Sequence, residues 1–308
     1  MNQSTTIHPS LRFLFLLAVI GCGDSKLAST DGGADAQENA DGDVIGDDGA
    51  ASDGGDATGC VASGAIGLQA TPGFKSALEA LSPMGNVNLA GETLSGKHIT
   101  GSVRGYGTIK DSWIEPETFV AVQNDSSHPL VLEDVTIGGP ATYGDLAVAS
   151  YGSGGIVLRR VSAEGYADCF RDGPFDIENT SCVTTLQSQE DHNDGYQAYM
   201  SGQVDVKIRC SEISSIGTSN TNGGIFHADG SQEHFTLQNL KIRVNHNYCI
   251  RLHSASKYGE LPSGDTVDDG RVLRMEIIDC AGGPVWIDGL PVDFWSNVMV
   301  NGKLVSGP

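Results

Sequence analysis

The chain has 308 residues, of which 39 are acidic and 18 basic, and its formal net charge is −21. Residues 1–59 hold 10 acidic and 2 basic residues, which leaves 29 and 16, a net charge of −13, for residues 60–308. This negative surplus opposes binding to nucleic acid, so we do not expect a nucleic-acid partner. The chain also contains no CxxC pair, so we do not expect a zinc site.

The N-terminus has the features of an export signal. Residues 11–20 (LRFLFLLAVI) form an apolar run that is too short to span a bilayer as a helix, which is typical of a signal peptide core. The run leads into Gly21 and Cys22, and the sequence around them resembles a bacterial lipobox. We therefore predict a lipoprotein signal peptide over residues 1–22 and lipidation of Cys22, which would attach the protein to the membrane.

A tether follows the signal. Residues 27–59 contain 8 Asp, 8 Gly and 7 Ala in 33 positions, so they bury too little apolar surface to offset the entropy cost of ordering. We predict a disordered tether over residues 23–59 and one folded domain over residues 60–308. The expected location is the bacterial cell envelope, at the outer membrane or the cell surface, and the expected state is a monomer.

Six cysteines remain in the predicted domain: Cys60, Cys169, Cys182, Cys210, Cys249 and Cys280. Export places them in an oxidising compartment, so disulfides are expected, and six cysteines allow fifteen connectivities. Cys182 and Cys280 occupy apolar positions of a repeated pattern described next. One or both could therefore be unbonded core residues instead.

One apolar template recurs along the domain: apolar, any, apolar, any, any, apolar or small, any, apolar. Alternation, a phase slip of one residue and renewed alternation predict a strand, a sharp bend and a second strand. The anchors of successive copies are 19 to 38 residues apart, which indicates a solenoid of stacked turns. The copies are residues 107–114, 130–137, 156–163, 206–213, 235–242 and 273–280, with a weaker one at 175–182; their anchors are Ile109, Leu132, Leu158, Ile177, Ile208, Leu237 and Met275.

Further elements are expected around these templates. Alternating segments predict a third strand in each turn, at residues 119–124, 146–151, 168–172, 196–200, 224–229, 248–253 and 284–288. Residues 74–81 follow Pro72 and predict a short amphipathic helix that covers the first turn. The pair Asn301-Gly302 between apolar residues predicts a terminal hairpin.

With these features the chain resembles the right-handed parallel β-helix proteins of the pectate-lyase-like superfamily over about residues 85–300. The template, the asparagines at some bends (Asn179, Asn239) and the N-terminal helix carry the resemblance. It implies an all-β fold: a single-stranded right-handed parallel β-helix, a solenoid with an N-terminal capping helix. The fold hosts lyases, hydrolases, epimerases, tailspikes and adhesins, so it leaves the function open.

The densest group of polar residues lies at 192–197 (HNDGYQ), which resembles a His-x-Asp-Gly-x-Gln sequence of bacterial β-helix proteins of glycan-active type. Stacking of turns would bring His192 near His227 and Arg251. The candidate catalytic residues are His192, Tyr199, His227, Arg251, His253 and Lys257, and the candidate substrate-binding residues are Arg171, Asp194, Gln197, Asp229 and Tyr258. Asp194-Gly195 and Asp229-Gly230 could instead be ordinary turns.

The resemblance implies action on a carbohydrate polymer, and our first hypothesis is a polysaccharide lyase that cleaves an acidic, uronate-containing glycan by β-elimination. Arg251 and Arg171 would neutralise the sugar carboxylate, with help from Gln197, while Tyr199, His227 or Lys257 would exchange protons. Asp194 and Asp229 could hold Ca²⁺ or orient the histidines. The motifs of the main pectate lyases and of one alginate lyase class are absent.

Two alternatives remain open at the level of sequence. A glycoside hydrolase on the same fold needs clustered carboxylates, which Asp168, Asp194 and Asp229 could supply, although the aspartate pair motif of polygalacturonases is absent. A non-catalytic glycan-binding or adhesin-like lipoprotein would use the same surface without turnover.

Overall fold

The computed structural model describes residues 60, 66–70, 74–116, 118–139, 142–185, 192–198, 203–216, 221–227, 232–245, 247–253 and 271–308. These residues all fall within one compact unit, Gly54–Pro308. The predicted signal peptide, with Cys22, and the predicted tether lie outside the described residues. Within the described ranges, no helix is both long enough and apolar enough to cross a membrane.

The described chain is almost entirely β-strand. A 3-10 helix, Gly67–Ala70, and α1, Phe74–Glu79, precede the strands. The strands are β1 (Val87–Ser95), β2 (His98–Ile99), β3 (Val103–Lys110), β4 (Trp113–Ile114), β5 (Val120–Asn124), β6 (Leu130–Glu133), β7 (Thr136–Gly138), β8 (Gly144–Ser150), β9 (Ile156–Arg159), β10 (Ser162–Asp172), β11 (Phe175–Glu178), β12 (Ser181–Thr184), β13 (Asn193–Ala198), β14 (Gln203–Arg209), β15 (Glu212–Ser215), β16 (Thr221–His227), β17 (Gln232–Val244), β18 (Tyr248–His253), β19 (Val272–Ala281), β20 (Val285–Asp288), β21 (Trp295–Val300) and β22 (Lys303–Leu304).

The strands pair in parallel and form three columns. Column A contains the ends of β1 and β3, then β6, β9, β11, β14 and the first halves of β17, β19 and β21. Column B contains β2, β4, β7, the start of β10, β12, β15 and the second halves of β17, β19 and β21. Column C contains the starts of β1 and β3, then β5, β8, the end of β10, β13, β16, β18 and β20.

The predicted anchors align with one another in column A. Each anchor is the register partner of the next, so that apolar side chains from distant parts of the sequence stack at the strand spacing of about 4.8 Å. The seven predicted anchors are all 0% exposed, and they belong to one continuous core. The predicted phase of the template is therefore confirmed. The aligned residues are Leu94, Ile109, Leu132, Leu158, Ile177, Ile208, Leu237, Met275 and Trp295.

The phase slip of the template is a single residue in the left-handed backbone conformation. Two residues after each of the seven predicted anchors, φ lies between 46° and 55°. One such residue reverses the alternation of side chains and turns the chain from column A into column B. Asparagine and aspartate tolerate this conformation well. The bend residues are Asp111, Asp134, Arg160, Asn179, Cys210, Asn239 and Ile277.

Three disulfides join the six cysteines of the described residues: Cys60–Cys210, Cys169–Cys182 and Cys249–Cys280. The last two join column C to column B across the core. Cys182 and Cys280 are both fully buried, as the template predicts. The alternative that either one is an unbonded core residue is wrong, because each faces a second cysteine from column C.

A short helix lies near the start of the described chain, and the predicted hairpin forms at its end. In α1, Leu78 packs in a small apolar cluster with Leu68 and Trp113. At the other end, β22 pairs antiparallel with β21, and the intervening Asn301 and Gly302 have φ values of 50° and 73°. Two successive positive φ values are those of the tight hairpin turn that Asn-Gly favours.

Candidate functional site

Column C presents two rows of side chains that lie outside the main core. Within each strand the two positions are three residues apart. The first row contains Val120, Leu146, Asp168, Asp194, Gly223 and Tyr248, and the second contains Gln123, Ala149, Arg171, Gln197, Phe226, Arg251 and Trp286. Predicted site residues from three separate sequence segments therefore share the second row: Arg171, Gln197 and Arg251.

A buried ionic group occupies β10 and β13. The guanidinium of Arg171 donates from Nη2 to Asp168 Oδ2, and its Nη1 lies 3.9 Å from Asp145 Oδ2. Asp168 Oδ1 accepts a hydrogen bond of 2.9 Å from the backbone N–H of Asp194. Burial raises the pKa of Asp168 to about 6, although Arg171 and the Asp194 amide act in the opposite direction. Burial acts to lower the pKa of Arg171, but the charge and hydrogen bond of Asp168, together with the charges of Asp145 and Tyr151, outweigh it, so the pKa is raised.

The second group surrounds Arg251, which is half-buried. Its guanidinium carbon lies 5.2 Å from the ring centre of Phe226, 5.4 Å from that of Tyr248 and 5.0 Å from that of Trp286. The rings of Tyr248 and Trp286 lie 5.4 Å apart. Cation–π contacts of this kind hold the guanidinium in place and shield it from water.

Arg251 differs from most of the described arginines in its charge partners; Arg104 and Arg243 also form no ion pair with a described carboxylate, but both are exposed. Six arginines form ion pairs with carboxylates of the described chain: Arg159, Arg160, Arg171, Arg209, Arg271 and Arg274. Arg251 forms none with a described residue, and its Nε is buried without a hydrogen-bond acceptor there. The arrangement provides a rigid cation that can accept an anionic partner through its planar N–H groups.

The register separates some of the predicted neighbours. His192 is exposed and precedes β13, five positions before Gln197, which corresponds to about 16 Å along a strand. The backbone of His227 aligns with Ala198 and Leu252, whereas Arg251 aligns with Phe226. His192 therefore lies away from the Arg251 row, because strand register and not sequence proximity to a motif sets the neighbours.

Several predicted residues are not placed. Only the backbone of His227 and of His253 is described, and His253 aligns with Asp288. The remaining predicted residues lie outside the described part of the chain: Tyr199, Asp229, Lys257 and Tyr258.

The Asp194-Gly195 pair is not a turn. Both residues lie within β13 and are fully buried or nearly so. The alternative that this Asp-Gly marks a turn is wrong, because the repeat places a small residue at this position of column C. Asp229-Gly230 lies outside the described residues.

The predicted calcium site is not assembled from the described residues. Asp194 is 0% exposed, and Asn222 donates a long hydrogen bond of 3.4 Å to its Oδ2. Within the described ranges no group of three or more His, Cys, Asp or Glu is arranged to hold a metal ion. The second predicted ligand, Asp229, is outside those ranges.

Three aromatic residues of the site were not predicted: Phe226, Tyr248 and Trp286. The sequence does contain a pattern that could have located them. From β5 to β18, each column C strand has four successive positions: an outer residue, a small residue, a large buried residue and a second outer residue. Aligning the strands on their small residues would have placed the three rings beside Arg251.

Comparison of the chain with models of protein families, with curated proteins and with solved structures finds no match.

Proposed function

We propose that the three columns wind into a right-handed parallel β-helix, with α1 as the cap of the first turn. The chain passes from column A through column B to column C in each repeat, and each column continues with a parallel partner. Crossovers between parallel strands of one sheet are right-handed in nearly all proteins, which supports this handedness.

We infer that this domain is a carbohydrate-active enzyme, a polysaccharide lyase that cleaves a uronate-containing glycan by β-elimination on the outer face of column C. The observation that carries the inference is Arg251, a half-buried cation between three aromatic rings with no carboxylate partner among the described residues. A uronate supplies both the carboxylate for the guanidinium edge and the apolar sugar surface for neighbouring rings.

The proposed reaction needs the carboxylate of the uronate to be neutralised before its C5 proton can leave. Bidentate hydrogen bonds from Arg251 would do this, and shielding by the rings makes the pairing stronger than in water. A base takes the C5 proton, the electron pair forms the C4–C5 double bond, and the glycosidic oxygen leaves with a proton. Tyr199, His227 and Lys257 remain the sequence-based candidates for the proton transfers.

The hydrolase alternative is less well supported. Two of its three candidate carboxylates, Asp168 and Asp194, are 3% and 0% exposed, so a polymer cannot contact them directly. Asp168 is also occupied by Arg171. The second candidate function is a non-catalytic glycan-binding protein, since Arg251 and its rings provide recognition without themselves providing a base.

The test is a panel of alginate, pectate and glucuronan, each with and without Ca²⁺, in which ultraviolet absorbance detects the unsaturated product. We expect the domain to produce this absorbance on one of them, and Arg251→Ala to abolish it. Arg251→Lys should restore binding only in part, because lysine lacks the planar fork. Arg274→Ala is the matched control, since Arg274 also stacks on a ring, Phe294, but pairs with Glu276.

Each outcome separates the candidates. New reducing ends without absorbance would indicate a hydrolase. Binding that is lost in Arg251→Ala, with no product of either kind, would indicate the glycan-binding protein. If Arg251→Ala retains as much activity as Arg274→Ala, the result would contradict the proposed site.

We also propose that the protein is lipid-anchored to the cell envelope through Cys22, with the signal peptide removed. The apolar run at residues 11–20 and the residues before Cys22 support this. Metabolic labelling with a fatty acid should modify the protein, and Cys22→Ser should abolish the label. Labelling that persists in Cys22→Ser would contradict the anchor.

A further inference from the structure

One of the three disulfides differs from the other two in its surroundings. The four cysteines of Cys169–Cys182 and Cys249–Cys280 are at most 1% exposed, whereas Cys60 and Cys210 are both half-buried. The Cys60–Cys210 bond also borders a surface cavity of about 170 Å³. The residues that line the cavity are Cys60, Ile66, Cys210, Ser211, Glu212, Asn239 and Lys241. A small thiol can therefore reach this bond in the folded protein.

The cavity wall favours release of a thiolate at Cys210. The side-chain amide of Asn239 lies 4.0 Å from Cys210 Sγ in donor geometry. Lys241 and Glu212 also line this cavity, with 3.7 Å between Lys241 Nζ and Glu212 Oε1, so the carboxylate offsets part of the lysine charge beside Cys210. A hydrogen-bond donor and a cation both stabilise a thiolate, and a more stable thiolate leaves faster in thiol–disulfide exchange.

The bond fastens the N-terminal strap, by which we mean Cys60 and residues 66–70. The strap crosses the strands: Gly67 N–H donates to the carbonyl of Arg160 at 2.9 Å, and Leu68 N–H donates to Thr136 Oγ1 at 3.0 Å. Leu68 then covers Trp113, which is 6% exposed. Ile66 and Leu68 are also buried, at 4% and 5% exposed, and the covalent bond across 150 residues acts together with these contacts.

We propose that Cys60–Cys210 is a thiol–disulfide exchange site through which a dithiol releases the N-terminal strap while the rest of the fold stays intact. A thiolate of the reductant attacks Cys60 Sγ, a mixed disulfide forms, and Cys210 leaves as the thiolate. The second thiol of the reductant then displaces Cys60. Two electrons pass to the protein, which gains two thiols, and the reductant becomes a cyclic disulfide.

The experiment treats the full chain with graded dithiothreitol under native conditions, traps thiols with iodoacetamide and maps the modified cysteines by mass spectrometry. We expect Cys60 and Cys210 to be modified roughly tenfold faster than the other two pairs, whose reduction requires opening of the core. Lys241→Gln should slow this step, and Lys207→Gln, on another face, should not. Simultaneous reduction of all three bonds, or earlier reduction of a buried pair, would overturn the proposal.

Release of the strap has its own measurement. Acrylamide quenching of tryptophan fluorescence should rise when the bond is reduced, because Leu68 uncovers Trp113, and the rise should be absent in Trp113→Phe. The double variant Cys60→Ser with Cys210→Ser should show the higher quenching without reductant. Unchanged quenching after complete reduction of this bond would overturn the release, since the strap would then be held by its other contacts.

Discussion

Gly195 in column C faces the side chain of Ile213 in column B so closely that a Cβ added to the glycine would lie 2.2 Å from Ile213 Cγ2. The next strand repeats the relationship, with 2.4 Å between a Cβ at Gly224 and Ile242 Cγ2. In the strands that precede and follow these two, the equivalent positions of columns C and B are cysteines joined by disulfides. The four successive pairs are Cys169–Cys182, Gly195–Ile213, Gly224–Ile242 and Cys249–Cys280.

The first prediction follows from this contact. Gly195→Ala should destabilise the fold by about 1–3 kcal/mol, because the added methyl group overpacks the core between the columns. It would also lie 2.4 Å from the carbonyl oxygen of Gly224, which belongs to the backbone and cannot move aside easily. Urea unfolding measures the change. Gly139→Ala, at a glycine with nothing within 4 Å, is the control, and an equal loss there would contradict the assignment.

The two core disulfides should differ in their contribution to stability. The bonded residues are 13 apart in Cys169–Cys182 and 31 apart in Cys249–Cys280. Replacing each pair by alanines should cost about 3 and about 4 kcal/mol respectively, because the longer loop loses more entropy in the unfolded chain when it is closed. Denaturant unfolding of the two double variants compares them directly. A larger loss for the 13-residue loop would show that packing, not loop closure, dominates.

Ile277 is the bend residue of β19 and has φ of 49°. The neighbouring strands β17 and β21 have asparagine at this position, Asn239 and Asn297. A β-branched side chain is strained in this conformation, and asparagine is not. Ile277→Asn should therefore raise the free energy of unfolding by roughly 0.5–1 kcal/mol, which thermal unfolding can detect. Ile277→Val keeps the branched Cβ and should bring no gain. Destabilisation by asparagine would mean that the isoleucine side chain contributes more by packing than it costs in strain.

Asp168 should give a distinctive dependence of stability on pH. Its pKa is about 6 in the folded protein and about 3.9 in an unfolded chain, so the folded state binds the proton more tightly. This group therefore makes the protein less stable as pH rises from about 4 to about 6. Asp168→Asn removes that loss, and its stability relative to the parent should rise over this window by an amount on the order of 2 kcal/mol.

The control for Asp168 is Asp176, on column A. Burial acts to raise the pKa of Asp176, but Arg159 and Arg209 outweigh it, and the pKa is lowered. Asp176 therefore contributes stability above the unfolded pKa that is lost as pH falls, so Asp176→Asn should show the opposite trend at acid pH. Urea unfolding at a series of pH values measures both variants. Parallel curves for parent and Asp168→Asn would exclude a raised pKa at Asp168.

Much of the strand pattern could be predicted from local sequence. The apolar residues around each anchor, from Ile109 to Met275, alternate along the strand. The bend lies at a fixed distance after each anchor. Both features could therefore be located without knowing which strands are neighbours. The terminal hairpin at Asn301-Gly302 followed from the backbone preference of two residues. These features depend on nearest neighbours in the chain, and for that reason local reasoning reaches them.

The predicted site was reached only in part. Arg171, Gln197 and Arg251 share an outer row, whereas His192 does not reach it. The loops between column C strands vary in length, so sequence separation gives no register there. The rings beside Arg251 could not be identified either, because Phe226 and Trp286 belong to the strands before and after its own.

The sequence by itself determined the apolar period, the bend positions and hence a mostly parallel all-β chain, because side-chain alternation and left-handed residues act over a few residues. The tertiary structure alone decided which strands are neighbours, which cysteines bond and which charges are paired. Those outcomes depend on how close two side chains lie once the strand register is set. The register places Arg171 beside Asp168, which neutralises its charge, whereas Arg251 has no such partner in the described chain.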